Sequence, residues 1–115
     1  MALSKNLEGT LVLEARRERW PMIIGACTIQ LYLPGVNSLK EKRSLLKPLL
    51  NQLRQRFDVA AAEVEWQDRW QSSNIAVVAV ANETGHIYTV LEHAVHWIED
   101  EFRDVEIIGW NVELR

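Results

Sequence analysis

Two different periods of hydrophobic residues run along the chain, and each predicts a different kind of element. In residues 22–33 the apolar side chains mostly alternate onto one face, which is typical of a half-buried β-strand. Residues 57–66, 74–81 and 105–114 also predict strands. The alternating set of the first strand is Ile23, Cys27, Ile29, Leu31 and Leu33.

The helical period appears in two segments, residues 39–56 and 86–102. At about 100° per residue, the apolar side chains of the first segment fall within about 100° of arc. Ser38 and Glu41 have the spacing of a capping box, which marks the start of this helix. Pro48 lies inside it and removes a backbone hydrogen bond to Ser44, so we expect a bend or a break there. The two apolar stripes are Leu39, Leu46, Leu49, Leu50, Leu53 and Phe57, and Ile87, Leu91, Ala94, Val95, Ile98 and Phe102.

The order of the predicted elements is strand, helix, strand, strand, helix, strand, which makes two split β-α-β units. This order predicts an α+β fold of the ferredoxin-like type, a four-stranded antiparallel sheet with both helices on one face. We expect residues 22–115 to form this single domain. Residues 1–21 have a different pattern and are predicted to be a mobile N-terminal extension, with a short docked helix over residues 7–19 as the alternative.

The third predicted strand is apolar on both faces, although the helices of such a fold cover only one face. The fourth strand adds Ile108, Trp110 and Val112 on one side, with Ile107 opposite them. A second apolar face needs a cover, which a partner, a second copy of the chain or residues 1–21 would provide. The two faces of the third strand are Ile75, Val77 and Ala79, and Ala76, Val78 and Val80.

Composition and charge narrow the class of protein. The chain has 115 residues, 48% of them hydrophobic, which is the balance of one globular domain. A single cysteine indicates a reducing compartment, and the longest apolar run of seven residues is far below the roughly 20 that span a membrane. We therefore expect a cytoplasmic protein with no membrane partner. The isoelectric point of about 5.6 does not suggest nucleic-acid binding by the whole chain, but residues 38–57 carry six basic and one acidic residue.

Four of these basic residues form a stripe on the first predicted helix. Lys40, Arg43, Lys47 and Arg54 fall within about 60° of one another and extend over about 20 Å. Lys42 and Arg56 are assigned to the other flank of the apolar stripe. A line of cations can follow a phosphate backbone, although a solvated helix face has the same pattern.

The connection after the second predicted strand holds a second group of candidates. Two tryptophans, two amides and an arginine can stack on unpaired bases and form hydrogen bonds with them. In the alternative interpretation, this segment is a structured connection whose tryptophans fill the edge of the core. A small-ligand pocket with Glu63, Gln67 and Asp68 is a third hypothesis. The candidates for binding nucleic acid are Trp66, Gln67, Arg69, Trp70 and Gln71.

Catalytic and metal-binding patterns have little support. His93 and His96 have the spacing to share a cation, but the second predicted helix directs its histidines and acids towards water. Cys27 lies on the inward face of a strand, where cysteine usually acts as a small hydrophobe. We therefore predict no catalytic residues, no metal and no cofactor.

Five short segments, correctly spaced, resemble the bacterial YlxP-like family over about residues 22–114. The resemblance implies a ferredoxin-like fold and no established enzymatic activity, because the function of the family is unknown. Members are often encoded beside translation factors and a ribosome-maturation factor, which implies association with RNA or the ribosome. Pro48 departs from the polar residue of the family pattern. The matching segments are residues 23–25 (IIG), 34–35 (PG), 37–43 (NSLKEKR), 62–64 (AEV) and 67–71 (QDxWQ).

The leading hypothesis is therefore a small non-catalytic accessory protein that associates with a ribosomal particle or a structured RNA. Its phosphate contacts would be Lys40, Lys42, Arg43, Lys47 and Arg54. The alternative is a homo-oligomeric protein-interaction module, a homodimer for example, that uses the second apolar sheet face. A ligand-binding protein or enzyme that uses residues 67–71 is the third hypothesis.

Overall fold

The computed structural model describes residues 4–5, 10–11 and 22–115, and its main part is a layer of four strands covered by two helices. Two-residue strands β1 (Ser4–Lys5) and β2 (Thr10–Leu11) pair with each other in antiparallel fashion. The remaining elements are β3 (Ile23–Tyr32), α1 (Leu39–Phe57), β4 (Ala60–Glu65), β5 (Ser72–Ala81), α2 (Thr84–Glu101) and β6 (Glu106–Leu114).

The large sheet has the strand order β4-β5-β3-β6, and every neighbouring pair is antiparallel. Both helices pack on one face of it, which confirms the predicted ferredoxin-like α+β architecture. The core lies between these layers, where Ile29, Ile75, Leu49 and Leu91 are fully buried. The inward-facing residues of the strands thus pack against the apolar stripes of the two helices, as the sequence predicted.

Local signals explain the ends of α1. The hydroxyl of Ser38 accepts from the Glu41 amide at 3.1 Å, and the Asn37 amide donates to the Glu41 carboxylate at 2.8 Å. The helix ends at Asp58, which has left-handed backbone angles and donates its amide to the Arg54 carbonyl. Pro48 does not break the helix, because α1 is continuous over 19 residues and its proline ring lies on the exposed side.

A β-bulge in β6 corrects the predicted faces of the last strand. Gln30 pairs with Gly109, but Leu31 pairs with Ile107, so Ile108 is an extra residue outside the register. As a result, Trp110 and Val112 lie opposite Ile29 and Cys27 on the helix-covered face, together with Ile107. The prediction that Ile108, Trp110 and Val112 share one face was therefore wrong, since a strict period of two does not anticipate a bulge.

The predicted extension over residues 1–21 lies outside the described residues, apart from Ser4–Lys5 and Thr10–Leu11. Its mobility and the domain boundary at residue 22 stay predictions.

Gly25 sets the closest approach between the sheet and α2. A Cβ at this position would overlap the Ile87 Cγ2 atom and would lie 3.3 Å from Leu91 Cδ1. We expect Gly25→Ala to lower the free energy of unfolding by about 1–3 kcal/mol, because α2 must move away from the sheet. Urea unfolding followed by circular dichroism measures this difference.

Gly35→Ala is the matched control, since no heavy atom lies within 4 Å of the added Cβ at that turn. Its expected effect is below about 0.5 kcal/mol. Equal losses in the two variants would contradict the close packing of α2 on β3.

Candidate functional site

Lys42 is the one fully buried charged side chain among the described residues, with 2% of its surface exposed. Its Nζ donates to the carbonyl oxygens of Trp66 at 2.6 Å and Arg69 at 2.7 Å. It also forms an ion pair of 2.7 Å with Glu63 Oε2. The three hydrogens of the ammonium group are thereby all used.

The prediction that Lys42 contacts nucleic acid is corrected by this geometry. At about 100° per residue, Lys42 falls between Leu49 and Leu53, inside the apolar arc of α1 and not on its flank. A basic residue inside an apolar stripe was the available signal for an inward side chain. The sequence indicated its partner in the same way. Glu63 lies two residues after the buried Ala61 and therefore faces the same side of β4.

The ion pair also reaches the neighbouring strand. Glu63 Oε2 accepts from the hydroxyl of Ser73 at 2.7 Å, and Ser73 is completely buried in β5. One carboxylate oxygen therefore serves a lysine from α1 and a serine from β5. These contacts satisfy the buried polar groups that would otherwise destabilise the core.

The turn after β4 depends on the Lys42 ammonium. Trp66 has a φ of 67°, in the left-handed region that non-glycine residues rarely adopt. Its carbonyl accepts from the Arg69 amide at 3.0 Å as well as from Lys42, and the Arg69 guanidinium lies 4.9 Å from the centre of the Trp66 ring. The two bonds from Lys42 hold the turn in a conformation that costs about 1–2 kcal/mol by itself.

Gln71 fastens the same connection to the loop after β3. Its Nε2 donates to the carbonyls of Pro34 at 3.2 Å and Val36 at 3.0 Å, so both of its N–H donors are taken. The Leu33 amide donates to the Gln71 carbonyl at 2.9 Å. Gln71, predicted to bind nucleic acid, therefore has an internal role. The two segments with the strongest family resemblance, residues 37–43 and 67–71, meet where Lys42 donates to the Arg69 carbonyl.

Three exposed cations lie along one groove beside α1. Arg43, Lys47 and Arg54 line this groove, which has a volume of about 350 Å³. The predicted stripe is therefore brought together only in part, because Lys40 lines a neighbouring depression with Asp104.

The remaining surfaces of the groove are an apolar floor and a polar wall. Leu39, Leu46 and Leu50 form apolar lining on the side of α1. Gln67 and Glu63 lie on the side of β4 and the turn after it. The groove therefore combines cations, an apolar surface and hydrogen-bonding groups.

Arg54 is held at the edge of the sheet. Its Nε and Nη2 donate to the Ala61 carbonyl at 3.1 and 2.7 Å, and its Nη1 donates to Asn51 Oδ1 at 2.6 Å. Because β4 is an edge strand, this contact gives one of its carbonyls a side-chain partner. Three of the five guanidinium N–H groups are used, which leaves two for a ligand.

The two tryptophans of the connection have different environments. Trp66 is half-buried and its ring is covered by Arg69, which partly agrees with the interpretation as core edge. Trp70 is 53% exposed. Of the five candidates in residues 66–71, Gln67 lines the groove with the cations, whereas Trp70 does not line it.

Cys27 is buried in β3 with 1% exposure, as its inward parity predicted. Burial raises the pKa of its thiol to about 11. A hydrogen bond with the Asn111 backbone has a smaller effect and lowers the pKa. The group is therefore protonated at neutral pH and is a poor nucleophile there.

The histidines of α2 lie at the surface, where His96 Nδ1 is 3.1 Å from Glu99 Oε1. In residues 4–5, 10–11 and 22–115, no group of three or more His, Cys, Asp or Glu residues has an arrangement that could hold a metal ion. Among the helices that the structure describes, none has the length and apolar character to cross a membrane.

Comparison with protein families identifies the family of the chain. The model of the family described as "Protein of unknown function (DUF503)" matches residues 24–112, and the chain belongs to this family. It is 30% identical over 84 residues to the uncharacterized protein YlxP of Bacillus subtilis (strain 168). The matched segment covers 73% of this chain and 90% of that protein. The resemblance to YlxP-like proteins is thereby confirmed.

The fold is also that of a solved designed protein. A de novo designed protein with ferredoxin fold, LFR1 1, superimposes with a TM-score of 0.51 at 6% identity, covering 80% of this chain and 82% of the design. A second design, Foldit4, gives a TM-score of 0.47 at 15% identity, covering 82% and 96%. The first likeness establishes the architecture alone.

We expect Lys42→Met to lower the free energy of unfolding by about 3–5 kcal/mol, because it leaves the Glu63 carboxylate without its positive partner and removes a donor from the carbonyls of Trp66 and Arg69. Urea unfolding measures this loss. Hydrogen exchange of the amides in residues 66–71 should become faster, since the turn loses its support.

Lys47→Met is the matched control for Lys42→Met, because Lys47 is exposed on the same helix. It should change the stability by less than about 0.5 kcal/mol. The double variant Lys42→Met/Glu63→Met should recover part of the loss. A Lys42→Met protein as stable as the control would contradict the role of the buried ammonium.

Proposed function

We propose that this chain is a small, non-catalytic, cytoplasmic accessory protein that associates with RNA or a ribosomal particle through the basic face of α1. The observation that carries the proposal is the position of three exposed cations, Arg43, Lys47 and Arg54, on one groove. These cations can bind one nucleic-acid strand together, because its backbone carries the phosphate charges in a row.

The charge distribution supports a local anion-binding surface. The chain has a net charge of −3, but residues 38–57 carry six basic and one acidic residue. Since Lys42 is buried, the remaining cations of this segment act at the surface. A cluster of one sign attracts an oppositely charged partner even when the whole protein repels it.

We expect the double charge reversal Arg43→Glu/Lys47→Glu to abolish co-sedimentation with ribosomal particles in a cell lysate. The wild-type protein should co-migrate with one subunit at about 50 mM salt and be largely released at about 200 mM, because its contacts are with phosphates. Gradient fractions followed by immunoblotting measure both effects.

Arg103→Glu/Arg115→Glu is the control with the same change in charge. Both residues are exposed, and neither lines the groove. This variant should co-sediment like the wild type. Wild-type protein that stays at the top of the gradient at both salt concentrations would refute the proposal.

Self-association through the outer sheet face is the second candidate function. Cross-strand pairs place Ala26 and Ala60 beside Val78, and Ile24 beside Val80, on the face that the helices do not cover. Val80 is 62% exposed on this face. Small and branched apolar side chains on an open sheet favour a flat partner such as a second copy.

If this face forms a dimer, Val80→Asp should dissociate it, because a carboxylate would be buried against an apolar surface. Sedimentation velocity over a range of protein concentrations measures the change. Tyr88→Asp is the control, since Tyr88 is 40% exposed on α2. A wild-type protein that is monomeric at every concentration would exclude this candidate.

A further inference from the structure

We infer that the groove beside α1 takes single-stranded nucleic acid, with the phosphates on the cations of α1 and an unpaired base on the apolar floor. This inference rests on the proposed function and names the form of its ligand.

The size of the groove favours an unpaired base. Its volume of about 350 Å³ lies near the lower end of the range for small-ligand pockets, about 300–1,000 Å³. A base with its sugar fits such a space, whereas a base in a duplex would first have to be unpaired and flipped out of its stack, which costs energy.

The floor of the groove needs an apolar surface on the ligand. Leu39 and Leu50 are half-buried, so parts of their side chains remain accessible there. A duplex presents phosphates and sugars to a protein that binds its outside, and its base faces stay stacked. Only a strand with unpaired bases can cover the leucines while its phosphates meet the cations.

The charges of the two walls determine the orientation of the strand. Arg43, Lys47 and Arg54 belong to α1, whereas Glu63 and Gln67 come from β4 and its turn. The Glu63 carboxylate is neutralised by Lys42, so its wall has no free positive charge, and the backbone lies towards the cations of α1. No donor among the described residues bonds to Glu63 Oε1. This oxygen can therefore accept a hydrogen bond from an N–H group on the edge of a base.

Arg54 and Gln67 add pre-organisation to this site. The guanidinium of Arg54 is already fixed by its bonds to Ala61 and Asn51, so little side-chain entropy is lost when its two remaining N–H groups meet a phosphate. The turn that carries Gln67 is held by Lys42 at Trp66 and Arg69.

Fluorescence anisotropy with a labelled RNA strand of about eight nucleotides, free or annealed to its complement, tests the inference on the full chain. We expect the single strand to bind about tenfold more tightly than the duplex, which corresponds to about 1.4 kcal/mol. The logarithm of its affinity should fall with log salt at a slope of about −2, since three phosphate contacts contribute about −0.7 each.

Two variants with the same loss of charge test the assignment to the groove. Arg43→Gln should reduce the slope to about −1.4, because one phosphate contact is lost. Arg103→Gln, outside the groove, should leave the slope and the affinity unchanged.

Several outcomes would overturn the inference. Duplex that binds as tightly as the single strand would refute it, while salt-sensitive co-sedimentation could still uphold the proposed function. Competition by an oligoglutamate peptide as strong as that by unlabelled RNA would point to an acidic protein as the occupant. If neither nucleic acid binds but the protein co-sediments, the ribosomal contact is with protein and the inference fails.

Discussion

The buried ammonium of Lys42 is the interaction on which the arrangement of this protein depends. It joins α1 to Glu63 in β4, through that carboxylate to Ser73 in β5, and directly to two carbonyls of the turn after β4. A charge without partners at this depth would destabilise the fold by several kcal/mol. The surrounding elements are therefore constrained to the one geometry that satisfies the ammonium.

This constraint extends from the interior to the surface. Trp66 adopts left-handed backbone angles in the turn, and Gln67 follows it at the wall of the groove. Gln71, at the end of the same connection, holds the loop after β3 through two hydrogen bonds. Lys42, Glu63 and Gln71 thus maintain the internal frame, and that frame supports the exposed cations of α1. Shared sequence motifs in this chain do not by themselves mark a binding surface.

The fold could be predicted from the sequence because its determinants are local and periodic. The alternation of β3, the stripes of both helices and the cap at Ser38 each act over a few residues. The site was predicted less well, since burial depends on contacts between distant segments. Lys42 meets a turn 24 residues away, and only its place among the leucines of α1 indicated this. The bulge at Ile108 had no signal in the alternating pattern.

Arg54 serves both the edge of the sheet and the groove. Its planar guanidinium donates two hydrogen bonds to the Ala61 carbonyl on an edge strand and still has two unused N–H groups. A lysine at this position would keep the charge but not the forked contact, because an ammonium is a compact point donor. Arginine is therefore the side chain that can protect the strand edge from pairing with other chains while remaining an anion receptor. A change of Arg54 that suits another ligand would therefore also remove the side-chain donors of the Ala61 carbonyl at this edge.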